Sequence, residues 1–134
     1  MLTEPYLFFE GRCDEAIEFY RDALGAEVTA LMRYKDNPDR DSSRPGTDDK
    51  IMHANLRIGE TAVMVSDGLC SGLPNFQGFS LTLSLASEAQ ASRMFQTLAE
   101  GGKILMPLAQ TFYSPLFGMV ADRFGVQWMI LVTA

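Results

Sequence analysis

Hydrophobic and polar positions along the 134-residue chain change period several times, and each change marks an element. Pro5-Tyr-Leu-Phe-Phe-Glu10 is aromatic and apolar, stops at Gly11, and reads as a strand. From Asp14 the period becomes helical: Ala16, Phe19, Tyr20, Ala23 and Leu24 form one apolar stripe. Asp14 and Glu15 suit the positive N-terminal end of that helix, and Gly25 ends it. Glu27–Tyr34 reads as a second strand. Lys35–Asp49 has no large apolar residue and holds five acids against three bases, which predicts a solvated, mobile loop. Met52–Ile58 and Thr61–Ser66 follow as two strands joined at Gly59-Glu60.

The same order then recurs. Gly78–Leu85 alternates, with Phe79, Leu81, Leu83 and Leu85 on one face and Ser80, Thr82 and Ser84 on the other. Ser87 and Gln90 have the spacing of a capping box, and Ala91, Met94, Phe95, Leu98 and Ala99 form a helical stripe ending at Gly101-Gly102. Ile104–Phe112, Phe117–Asp122 and Val126–Val132 supply three further strands. Phe19 and Phe95 mark one helix position 76 residues apart, and Arg57-Ile-Gly59 and Arg123-Phe-Gly125 mark one hairpin 66 apart. The expected fold is therefore α+β, a single domain over 1–134 of two paired βαβββ modules, about 1–66 and 78–134. They form a curved, cup-like mixed sheet with helices on the outer face.

Composition narrows the partners. Eleven basic and seventeen acidic residues leave a net charge of −6, which disfavours nucleic acid and membrane surfaces and suits a neutral or cationic ligand. The start of the chain has no basic, then apolar, leader pattern, and the longest apolar run, Ile104–Ala109, is far short of a membrane span and contains a proline. Cys13 and Cys70 form no disulfide framework or CxxC motif, so both read as reduced thiols of a cytoplasmic protein. With one histidine and two cysteines, a protein-only metal site has little to draw on.

The helix segment Ala16-Ile-Glu-Phe-Tyr-Arg-Asp-Ala-Leu-Gly25 within a doubled βαβββ unit resembles the vicinal oxygen chelate superfamily, which includes glyoxalase I and the bleomycin-resistance proteins. The resemblance is closer to the PhnB-like branch, also called demethylubiquinone methyltransferase-like. It rests on Pro5-Tyr-Leu, His53–Gly59, Met64-Val-Ser-Asp67, Gln110–Tyr113, Phe117-Gly118 and Asp122–Ile130. No glycine-rich loop between a strand and a helix supports a nucleotide-like methyl donor. The resemblance implies a homodimer and, in metal-dependent members, one ion held by His, Glu or Gln from four strands. Carried over, those positions fall on Pro5, on Met64 or Val65, on Ser80 and on Met129, none an imidazole or carboxylate. No metal and no cofactor are expected.

His53, Asn55 and Arg57 should share one strand face, opposite Ala54, Leu56 and Ile58. His53 is the sole catalytic candidate, and a structural role bonding a neighbouring strand is preferred for it. Cys13, at a helix start, could be an activated thiol, although a small cap-region residue is the favoured reading. Gln110–Gly118 sets three aromatics and polar groups around a turn, as either a pocket wall or core filling. Trp128 should pack under a helix, alternate to Met129. The ligand-binding candidates are His53, Asn55, Ser80, Gln110, Phe112, Tyr113, Phe117 and Met129. The function expected is metal-independent binding of a small organic molecule. The alternatives are a glyoxalase- or dioxygenase-like enzyme with a non-standard site, or a structural role with a filled cup.

Overall fold

The computed structural model describes residues 1–39 and 46–133, so the tip of the Lys35–Asp49 loop lies outside the described residues. The chain is α+β and divides into two compact units, Met1–Pro74 and Asn75–Ala134. The first contains β1 (Tyr6–Phe8), α1 (Cys13–Leu24), β2 (Glu27–Arg33), β3 (Ile51–Ile58) and β4 (Thr61–Ser66). Its four strands lie in the order β1-β4-β3-β2, with β1 parallel to β4 and the other pairs antiparallel. The second contains β5 (Leu81–Leu85), α2 (Glu88–Ala99), β6 (Lys103–Ala109), β7 (Phe117–Ala121) and β8 (Gln127–Val132), in the order β5-β8-β7-β6. Each unit is a βαβββ module with the same strand order and the same parallel first pair.

Each helix covers one face of its own sheet. In α1 the buried residues are Cys13, Ala16, Ile17, Phe19, Tyr20, Ala23 and Leu24, the predicted stripe extended by one turn, and they meet Leu7, Ala54, Leu56, Val63 and Val65 as the core. Gly25, at φ 68°, takes the left-handed cap that returns N–H groups to the last turn. In α2 the Ser87 hydroxyl accepts from the Gln90 N–H at 3.1 Å, and Ala91, Phe95 and Leu98 are buried over Val120, Trp128 and Ile130. Gly118 has a packing reason: a Cβ there would lie 2.9 Å from both the Phe95 ring and Leu108.

Strand ends differ from the sequence reading where side chains capture backbone. β1 stops at Phe8 rather than Glu10 because Glu10 turns to φ 53°, and its carboxylate accepts from the N–H groups of Leu69 and Ser71 at 3.0 and 3.2 Å. β6 stops at Ala109 rather than Phe112 because the Thr111 hydroxyl accepts from the N–H groups of Tyr113 and Ser114, closing a turn. β5 begins at Leu81 rather than Gly78.

Arg12, preceding α1, gives no side-chain cap. The cap comes from the far end of the module. Asp67, just past β4 and fully buried, accepts from the N–H groups of Cys13 and Gly11 through Oδ1, at 2.8 and 2.9 Å. Its Oδ2 accepts from the Ile51 N–H of β3 at 2.7 Å. One carboxylate thus ties the helix start to two strands, with the helix dipole favouring its charge. Asp122 plays the matching part in the second module, holding Phe124 and Val126 N–H groups and the Trp128 indole N–H at 2.9–3.1 Å. Asp67→Asn keeps the shape but turns an acceptor oxygen into a donor amide. It should lower the stability of the folded protein by about 2–3 kcal/mol in urea titration, and unchanged stability would contradict this role.

Candidate functional site

The face of the first sheet that α1 leaves uncovered carries the chemistry. Alternation puts Ala54 and Leu56, at 0% and 1% exposure, on the helix side, and His53, Asn55 and Arg57 on the other. Register then brings other strands to the same face. Ala30, Asn55, Met64 and Tyr6 pair successively across the sheet as one row. Met32 pairs with His53, and Phe8 with Ser66, beside that row.

A continuous hydrogen-bonded chain runs along this face. The Tyr6 hydroxyl lies 2.8 Å from His53 Nδ1, and His53 Nε2 lies 2.7 Å from Asn55 Oδ1. An amide oxygen only accepts, so Nε2 carries a proton toward Asn55, and in that tautomer Nδ1 accepts from the Tyr6 O–H. Both partners of His53 are uncharged, a phenol and an amide. Partial burial raises the Tyr6 phenol above its ordinary value, against the opposing Ser66 hydroxyl, so the phenol keeps its proton. In this arrangement the Asn55 amide N–H pair is unused, and the Tyr6 oxygen, one lone pair of which is taken by the Ser66 hydroxyl, keeps the other to accept. The Tyr6 and Phe8 rings stack at 4.9 Å with planes 20° apart, both over a third exposed.

The remaining candidates belong to the second module. Met129 pairs with Thr82 and Met119, and Met119 with Met106, so that module's uncovered face is a row of thioethers and one hydroxyl. Trp128, next along β8, is buried on the helix side. The Ser80 hydroxyl lies 3.4 Å from Gln127 Oε1, ahead of β5. Gln110 lies on the exposed turn after β6. Phe112 is fully exposed and Tyr113 half-exposed, while Phe117 is buried, and the three rings form an edge-to-face chain at 5.0 and 5.6 Å. The aromatic turn is thus part core and part surface.

Tyr6, Phe8 and Met32 were missed as site residues by sequence reasoning. Their alternation is visible, but only the strand register brings them to His53. An open surface depression of about 630 Å³, lined by Leu24, Gly25, Glu27, Arg57, Gly59 and Glu60, lies at the other end of β3 and holds none of the candidates. There Arg57 is paired with Glu27 at 2.6 Å.

Residues 2–131 match the family described as 3-demethylubiquinone-9 3-methyltransferase. Protein YjdN of Escherichia coli is 39% identical over 98% of this chain and 95% of its own. The crystal structure of PA1353 from Pseudomonas aeruginosa superposes with TM-score 0.85 at 40% identity, covering 99% and 98% of the two chains. The chain belongs to this PhnB-like family. A Bacillus cereus structure described as a putative 3-demethylubiquinone-9 3-methyltransferase, PhnB protein, is 28% identical with TM-score 0.83, over 99% and 100% of the chains. A glyoxalase-related enzyme from Fulvimarina pelagi, at 19% identity and TM-score 0.65 over 99% and 88%, shares the fold.

The metal that the superfamily fold implies does not fit the residues of this PhnB-like chain. Met64 faces the uncovered side and Val65 is fully buried beneath the helix, so the open alignment choice puts a thioether, not an imidazole, on the relevant face. Pro5, Ser80 and Met129 offer no better donors. Among the described residues, no three His, Cys, Asp or Glu side chains come together. Neither strand–helix connection is the glycine-rich turn of a nucleotide-like methyl donor's site: they hold one glycine, Gly11, and its N–H is taken by Asp67.

Cys13 is fully buried, and burial, followed by the charges of Asp67 and Asp14, pushes its thiol far above the ordinary range. It stays protonated. Because only the unfolded chain can ionise it, raising the pH past the ordinary thiol value of about 8.5 removes stability. Under native conditions, iodoacetamide should modify partly exposed Cys70 while Cys13 reacts only on unfolding. Equal alkylation of both thiols in the folded protein, read by mass spectrometry, would contradict this burial.

Proposed function

We propose that the protein binds a small, neutral or cationic organic molecule without a metal, on the uncovered sheet face of its first module. The observation that carries this reading is the row Tyr6–His53–Asn55, in which polar groups converge on an otherwise apolar, half-exposed surface. Structural duty alone explains it poorly. The strands are already held by their ladders, and Asn55 keeps two donors free for a guest. The net charge of −6 favours a neutral or cationic guest over an anion.

The second-module candidates offer apolar and aromatic surface without such a row, so His53 and Asn55 are the residues assigned to ligand contact. Methyl transfer, named in the family's description, draws no support from the strand–helix connections. Among the described residues no helix is long and apolar enough to cross a membrane, and Cys13 and Cys70 form no disulfide, which fits a cytoplasmic setting. A homodimer is supported by Ile104, Leu105 and Met106, exposed along the edge strand β6.

A library of neutral and cationic fragments, scanned by thermal shift, tests the reading. A true ligand at a hundred times its Kd adds about 2.7 kcal/mol of stability. His53→Ala and Asn55→Leu should abolish that gain while melting near the parent temperature. Adding Zn²⁺, Ni²⁺, Mn²⁺ or Fe²⁺ should change nothing. A library without hits, or hits that persist in both variants, would contradict the proposal.

A further inference from the structure

The chemistry of the same face narrows the guest. We infer that this surface selects an uncharged, planar aromatic molecule bearing a hydrogen-bond acceptor beside a donor; the inference rests on the proposed function above. Three observations converge. The Tyr6 and Phe8 rings, nearly parallel at 4.9 Å and 37% and 48% exposed, offer aromatic surface on which another ring can stack. Met64, in the row between Tyr6 and Asn55, and Met32, opposite His53 and 42% exposed, add polarisable thioethers that favour aromatic neighbours. The hydrogen-bonded chain fixes the polarity of what remains: with Asn55 Oδ1 and the Tyr6 proton both committed to His53, the amide donates and the phenol oxygen accepts.

A basic group free to hold an anion is missing from this row. Arg57, on the same strand face, is held by Glu27 at 2.6 Å, and the groups on His53 are neutral. An anionic guest would lose hydration without gaining a counter-charge. A carbonyl or ring nitrogen facing Asn55, next to an O–H or N–H facing Tyr6, satisfies both groups at once. A second copy of the chain is a poorer occupant, because the free groups are few, polar and fixed in direction rather than a broad apolar patch.

Three probes separate the terms. Benzamide has the ring, the acceptor and the donor; cyclohexanecarboxamide differs from it in lacking the planar ring; benzoate carries a charge. Titration followed by ligand-observed NMR should rank the first at least about five- to tenfold tighter than either of the others. Phe8→Leu, an exposed and tolerant position, should erase the preference for the ring and leave cyclohexanecarboxamide unchanged. Equal binding of ring and cyclohexane, or tighter binding of the benzoate, would overturn the inference while leaving small-molecule binding intact. Failure of all three probes while other library members bind through His53 and Asn55 would overturn it as well. Failure of the whole library would instead remove the function on which it rests. A monomer–dimer shift on Phe8→Leu in sedimentation, with no probe binding, would assign the face to a second copy and overturn it too.

Discussion

Asp67 is the constraint on which the first module depends. Its buried carboxylate gathers three backbone N–H groups, from Gly11, Cys13 and Ile51, that would otherwise be orphaned beneath the helix. A carboxylate this deep persists only when its charge is answered, and here the answer comes from backbone donors and the positive end of α1. By fixing where α1 starts against β3 and β4, Asp67 also fixes which sheet face the helix covers. Everything assigned to the other face follows from that choice.

The two modules repeat one architecture but have diverged on their uncovered faces. The second shows Thr82, Met129, Met119 and Met106 in a row, and its buried aspartate, Asp122, serves a hairpin and the Trp128 indole. The first replaces such a row with Tyr6, Met64 and Asn55, and adds His53. Superfamily metal chemistry needs anionic or imidazole donors converging on one point. This chain has instead a neutral donor–acceptor sequence spread along a strand. Such a surface lacks the converging anionic or imidazole donors that a bound metal ion needs.

Much of the fold was legible because its signals are local. The period change at Asp14, the stripe through Ala16, Phe19, Tyr20, Ala23 and Leu24, and the Ser87 cap each depend on a few neighbouring residues. Strand ends were less legible. Glu10 and Thr111 stop their strands by capturing backbone groups, in the case of Glu10 nearly sixty positions away. The site was half legible: alternation put His53 and Asn55 on one face, but their partner Tyr6 is 47 residues from His53 and joins them only through the parallel β1–β4 register. The aromatic turn at Phe112, Tyr113 and Phe117 shows the opposite limit, since composition left pocket wall and core filling open for the segment as a whole, and its residues divide between core and surface.

The central claim is that the uncovered face of the first module receives the ligand, and methionine methyl NMR tests it most directly. Met32 and Met64 stand on that face, whereas Met119 and Met129 stand on the corresponding face of the second module. With methyl-labelled methionine and a saturating neutral aromatic guest, the Met32 and Met64 resonances should move, and His53→Ala should suppress the change. Shifts confined to Met119 and Met129 at saturation would contradict the account.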